Sequence, residues 1–215
     1  MAKGKVEKRG ARKRVVKPVI LIVTEGTQTE PKYFNQFRTR KTNIDIQVIK
    51  NKTGGARTDY MSLVAKAKEH RDSKDLSKSN GDSVWVVADG DINYGNDSPI
   101  ESKNAKLNEA RTKAEKENIH LIISNPCFEY WYLLHYKYTT AFFKDYDAVE
   151  KVLKAYIPTY DKDLDVSGIL EDKMDNAIQH AQRVEQFHCA DGKRIPFTLE
   201  VNPFTDVYKL VQTIK

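Results

Sequence analysis

Asp82-Ser83-Val84-Trp85-Val86-Val87-Ala88-Asp89-Gly90-Asp91 is an apolar run that stops at two carboxylates around a glycine. Val84 to Ala88 has no polar alternation, so it predicts a strand buried on both faces, as in a parallel sheet covered by helices. Val19-Ile20-Leu21-Ile22-Val23-Thr24-Glu25-Gly26 has the same form. Again a buried strand ends in an acid, and again a glycine follows. Open α/β sheets bind ligands beyond the carboxyl ends of their strands. Two strands that both finish in acids therefore point to one acidic site, and a hard divalent cation is its natural occupant.

The rest of the chain alternates in the same way. Thr29 or Glu30 caps a helix with Pro31 at its first position, and that helix carries Tyr33, Phe34 and Phe37. Ile44, Ile46 and Val48 alternate with polar residues as a half-exposed strand. Gly54-Gly55 marks a loop, residues 59–71 a helix, and residues 73–82 and 93–99 further loops. A charged helix is expected over residues 101–117, a strand over 119–123, and an aromatic helix over 127–138, opened by Asn125-Pro126. Strands separated by helices predict an α/β fold with a mainly parallel sheet flanked by helices. Beyond Tyr138 the pattern turns helical, over residues 147–156, 168–188 and 203–214, with an extended stretch at 195–201. The simplest partition is a basic flexible arm (1–17), an α/β core (18–140) and a helical C-terminal extension packed on it (141–215).

Charge is unevenly placed. The chain carries 36 Lys and Arg against 30 Asp and Glu. Eight of the basic residues, Arg12, Lys13 and Arg14 among them, lie in residues 1–17 with Glu7 as the sole acid there. The body is thus close to neutral, and basicity is a property of the arm. Such a run reads either as a solvated tail or as an arm lying on nucleic-acid phosphates. Cys127 and Cys189 have no CxxC or Cys/His spacing, which argues against a disulfide framework or structural zinc and makes a reducing cytoplasm the expected compartment. No apolar run reaches bilayer length, so no membrane partner is expected.

The candidate chemistry follows from residue types. Asp89 and Asp91, two apart, would share a face if the strand continued. With Glu25 they form an oxygen-donor set for one or two Mg²⁺ ions, with Mn²⁺ as a substitute, able to polarise a phosphodiester and activate water. Asp-Gly-Asp is equally the composition of a plain turn. Glu129 is a further ligand or general base, or else a buried capping or salt-bridge acid. Asn125 or Ser124 would cap the helix and meet phosphate with its free amides. His135 is either catalytic or a packed, satisfied histidine. Residues 130–144 interleave aromatics with charge, which reads as core or as base-stacking surface. Lys162 is either a phosphate contact or a solvated surface lysine.

Several motifs taken together resemble a known family. They are Thr24-Glu25-Gly26, Thr29-Glu30-Pro31-x-Tyr33-Phe34, Ala88-Asp89-Gly90-Asp91, Ser124-Asn125-Pro126-Cys127-Phe128-Glu129-x-Trp131-x-Leu133-x-His135, and Asn202-Pro203-x-Thr205-x-Val207-Tyr208. The set is similar to the RloB family of bacterial proteins, and its Glu-Gly and Asp-x-Asp parts to the Toprim domain of topoisomerases, primases and OLD-type nucleases. Gly90 departs from the pattern, where a larger, often basic residue is expected. The resemblance implies a Toprim-like fold and Mg²⁺-dependent nuclease chemistry on DNA or RNA, tRNA included, with Glu25, Asp89 and Asp91 as metal ligands. It also implies a role in antiphage defence (abortive infection) with an ATPase partner. The main alternative is a non-catalytic module binding nucleic acid or a protein; a phosphohydrolase of small phosphate esters is a third. Monomer and homo-oligomer both remain open.

Overall fold

The computed structural model describes residues 17–39, 43–50, 59–94 and 100–215. The arm up to residue 16, including Arg12, Lys13 and Arg14, and the Gly54-Gly55 loop lie outside the described residues. Val19–Thr24 (β1), Asp45–Lys50 (β2), Ser83–Asp89 (β3) and Ile119–Asn125 (β4) form the sheet with Phe204–Thr205 (β5). Their order is β2-β1-β3-β4-β5. The first four run parallel, and β5 pairs antiparallel with Ser124 and Asn125. The expected α/β class with a mainly parallel sheet holds.

Both faces are covered, which is why β1 and β3 read as unbroken apolar runs. Ile20, Ile22, Trp85, Val87 and Ile122 point into one core, packed by Thr29–Asn35 (α1), Glu129–Leu134 (α4), Tyr146–Leu153 (α5), Met174–Ala190 (α7) and Val207–Ile214 (α8). Leu21, Val23, Val84, Val86 and Ile123 point into the other, under Tyr60–Ser73 (α2) and Ile100–Lys116 (α3). The strand pleat sends alternate residues to opposite faces. Phe128, Tyr130, Trp131 and Tyr132 are fully buried in the first core, with Tyr33 and Phe34 against them edge-on. Those rings are core, so they offer no base-stacking surface.

The chain after residue 141 is largely helical, as expected, and in addition gives the sheet one short strand. It supplies α5, the short helix Ser167–Leu170 (α6), α7 and α8, but also strand β5. The single helix expected over 168–188 is broken: α6 gives way to one 3₁₀ turn at Glu171–Lys173 before α7 starts at Met174. The extended stretch at 195–201 joins no sheet. Its backbone is held by side chains instead, Leu199 N–H donating to Asn104 Oδ1 at 2.8 Å and the Phe197 carbonyl accepting from Arg111 at 2.8 Å. No helix among the described residues is long and apolar enough to cross a membrane.

Strand order positions the site. From β1 the chain moves through α1, on one face, outward to β2. From β3 it moves through α3, on the other face, outward to β4. The connections after the neighbours β1 and β3 therefore diverge, leaving a crevice at the carboxyl ends of these two strands.

Candidate functional site

Glu25 and Asp89 sit at that crevice. Glu25 continues the β1 pairing, its N–H donating to the Val87 carbonyl at 3.0 Å. Its carboxylate Oε2 accepts the Asp89 N–H at 3.1 Å. The turn after Glu25 is tight. Thr24 Oγ1 donates to the Gly26 carbonyl at 2.9 Å, and Gly26 N–H donates to Glu30 Oε1 at 3.0 Å. A Cβ on Gly26 would stand 2.1 Å from Glu30 Oε2, so the bare backbone is what lets the Glu30 carboxyl tuck beneath it.

Asp89 is the last residue of β3, and its carbonyl accepts from Tyr60 Oη at 2.9 Å. Gly90 N–H then bonds the Ser124 carbonyl at 2.8 Å and Asp91 N–H the Pro126 carbonyl at 3.0 Å, so the backbone crosses over the end of β4. Asp91 takes a left-handed φ of 45°. Asp89 and Asp91 are thus not alternate residues of one strand, which corrects the same-face expectation. Asp91 is more than half exposed, and Lys103 of α3 lies 3.8 Å from its Oδ2 and donates to its carbonyl.

Glu129 opens α4 and is buried, with Tyr160 Oη donating to its Oε1 at 3.0 Å. Tyr160 lies in the link between α5 and α6, and two residues on, Lys162 Nζ stands 3.9 Å over the Tyr146 ring. Glu25, Glu30, Asp89, Asp91, Glu129 and Lys162 all line one cavity of about 340 Å³. Five carboxylates and one exposed lysine thus converge from four separate stretches of chain.

Crowding carboxylates out of water raises their pKa values. Burial pushes Glu30 up to about 7, with Glu129 and Glu25 adding like-charge repulsion. Asp89 is raised well above the usual carboxylate range, first by burial and then by Glu30, Glu129, Glu25 and Asp91. Asp89 Oδ1 is buried without a hydrogen-bond partner among the described residues. A donor set made only of carboxylate oxygens, mutually repelling and with one buried oxygen unpartnered, suits a hard divalent cation. Among the described residues, though, no three His, Cys, Asp or Glu side chains stand close enough to hold an ion as they are. Glu25, Glu30 and Glu129 each have an oxygen on a protein donor, and Asp91 turns to Lys103. An ion would be received by rotation of these side chains.

Two expectations are corrected. Asn125 is fully buried and does not line the cavity; its amide nitrogen donates to Tyr94 Oη at 2.6 Å, Leu199 O at 3.2 Å and Val201 O at 2.6 Å. It brackets the 199–201 segment and has no donor left for a phosphate. Nor does it or Ser124 cap α4: Ser124 Oγ pairs with Thr205 Oγ1 at 2.8 Å, and the residue before the helix is Phe128. The Tyr130 and Trp131 amides in the first turn of α4 donate to the carbonyls of Cys127 and Phe128. His135 takes its packed reading, 1% exposed, with Nδ1 3.0 Å from the Trp131 carbonyl.

Sequence reasoning missed Glu30 and Tyr160 as members of this cluster. Glu30 was visible as part of Thr29-Glu30-Pro31 but reads as a helix-start acid. Tyr160 carries no local signal, because its role depends on the later chain folding back over α4.

The curated proteins and the solved structures offer no match to this chain. A family model, RloB-like protein, matches residues 20–214. That span begins inside β1 and ends at the last residue of α8, so it takes in every strand and all the acids gathered at the crevice, and the chain belongs to the RloB-like protein family.

Proposed function

We propose that this protein is a Toprim-type nuclease that hydrolyses phosphodiester bonds in DNA or RNA, tRNA among the candidates, with Mg²⁺ and with Mn²⁺ as a substitute. The observation that carries this reading is the convergence of Glu25, Glu30, Asp89, Asp91 and Glu129 with Lys162 on one cavity at the divergence of β1 and β3. When bound, the cation would polarise a phosphoryl oxygen and lower the pKa of attacking water. Glu25, Asp89 and Asp91 would hold it. Burial raises the pKa values of Glu30 and Asp89, so binding of the cation would be accompanied by loss of the protons these carboxyls still carry. Glu129, hydrogen-bonded by Tyr160, would serve as the general base for the attacking water. Lys162 supplies positive charge at the rim for the phosphate. We place the activity in antiphage defence in the cytoplasm, with an ATPase partner, self-association being open to the same experiments.

The arrangement of the free site favours one other reading. Asp91 faces Lys103 and, among the described residues, no three acids stand at ligating distance, which suits a non-catalytic module binding nucleic acid or a protein through the same crevice. The test is incubation of the purified chain, with and without its partner ATPase, with single- and double-stranded DNA and tRNA in Mg²⁺, Mn²⁺ or EDTA. Metal-dependent cleavage lost in Asp89→Ala supports the nuclease. Nucleic-acid binding without cleavage in any metal supports the module. Calorimetry showing no Mg²⁺ or Mn²⁺ binding would end the metal-site proposal.

A further inference from the structure

A second cavity lies at the other edge of β4 and shares no lining residue with the acid pocket. Strand β5 covers only Ser124 and Asn125, leaving Ile119 to Ile122 without a strand partner on that side among the described residues. A cavity of about 240 Å³ opens there, walled by Trp85, Ala114, Ile122 and Pro196 and reached by Arg111 and Lys209.

Arg111 is the anomaly in it. It is 8% exposed, and its Nη2 donates to the Phe197 carbonyl at 2.8 Å. Its Nη1 is buried and has no hydrogen-bond partner among the described residues. Burial pulls its pKa below the ordinary arginine value, with Asp206 acting against that from a distance. A guanidinium removed from water without a paired anion is unfavourable, and it becomes favourable when a carboxylate completes it. The other lining cation is already matched. Lys209 pairs with Asp206 and with Glu185 at 3.3 Å, and Glu115 also lines the wall. Of the two lining cations, Arg111 is the one that makes no ion pair among the described residues, in a recess whose remaining surface is largely apolar.

We propose that this cavity binds a small monocarboxylate with an apolar body, its carboxylate received by Arg111 and its body lying beside Trp85 and Ile122. A dianion such as phosphate is disfavoured by Asp206 and Glu115. The volume lies just below the range of about 300–1,000 Å³ typical of small-molecule clefts, which limits the body to roughly one ring.

The test titrates the full-length protein with benzoate and phenylacetate, against benzamide, inorganic phosphate and chloride at constant ionic strength. Trp85 in the wall makes tryptophan fluorescence one readout; arginine side-chain nitrogen resonances are the second. Saturable quenching by the carboxylates alone, with the midpoint weakened about tenfold or more in Arg111→Gln, supports the site. Should that variant not fold, a carboxylate-dependent shift of one arginine side-chain resonance in the unsubstituted protein carries the test. No saturable response, an equal response to benzamide or phosphate, or a response unchanged in folded Arg111→Gln overturns it.

Discussion

The Asp89 amide donates to the Glu25 carboxylate at 3.1 Å, tying together the ends of two neighbouring strands through a side chain that also faces the cavity. Glu25 therefore has two separable properties, an acceptor oxygen and a negative charge. Glu25→Gln keeps an acceptor and removes a charge from a repelling cluster, so apo stability at pH 8 is expected to hold or rise. Glu25→Ala removes both and is expected to cost about 1 kcal/mol. Both variants should bind Mg²⁺ at least about tenfold more weakly, about 1.4 kcal/mol. Urea denaturation and calorimetry check the pair; equal destabilisation by Gln and Ala would dismiss the hydrogen bond as a support.

Glu30 gives the apo protein a stability that depends on pH. Its folded pKa is about 7, against an ordinary 4.5. A raised acid holds its proton in the folded state after the unfolded chain has lost it. Its contribution is complete below pH 4.5 and is lost as pH rises to about 7. Glu30→Gln should remove that slope and stabilise the metal-free protein at pH 8 by on the order of 2 kcal/mol. Thermal melts at pH 5 and pH 8 for both proteins measure it, and an unchanged slope in the variant contradicts the assignment.

His135 acts in the opposite direction. Burial lowers its pKa from 6.5 to about 4, and its Nε2 has no hydrogen-bond partner among the described residues. The unfolded chain binds a proton below pH 6.5 that the folded protein refuses until about pH 4, so stability falls as pH drops through that window. The loss amounts to about 3 kcal/mol at its end. The advantage of the unsubstituted protein over His135→Gln should therefore shrink between pH 7 and pH 5, read from denaturant midpoints.

Gly90 has no room for a side chain in this protein. A Cβ there would stand 2.4 Å from Asn125 Oδ1, and Asn125 is pinned by three acceptors on its other arm. Gly90→Ala should cost about 1–3 kcal/mol by overpacking. The larger residue expected at this position in relatives thus requires a different setting of the Asn125 side chain. Wild-type stability for Gly90→Ala would show that the bracket yields.

What the sequence disclosed and what it withheld have physical causes. β1 and β3 were legible because burial on both faces demands a continuous apolar run, and their terminal acids because a parallel sheet puts such ends together. Strand β5 was not, since two residues carry no periodicity and its pairing is decided by Ser124 and Asn125, about 80 positions away. Residues 195–201 look extended because they are apolar at intervals, yet their partners are Arg111 and Asn104 rather than a strand. Asn125 was misjudged because a polar residue at a strand end suggests a ligand, whereas here it satisfies three carbonyl and hydroxyl oxygens of the fold. Glu30 and Tyr160 belong to the cluster only through tertiary return of the chain.

That return has a consequence for the order in which the protein is made. Glu129 emerges from the ribosome some thirty residues before Tyr160, the donor that holds it, and Lys162 follows later still. Until then the pocket lacks a wall and its acid lacks a partner. A nascent or prematurely terminated chain ending at Leu153 would carry Glu25, Asp89 and Glu129 but only an unfinished cavity, so synthesis past Lys162 sets when the crevice acquires its full lining.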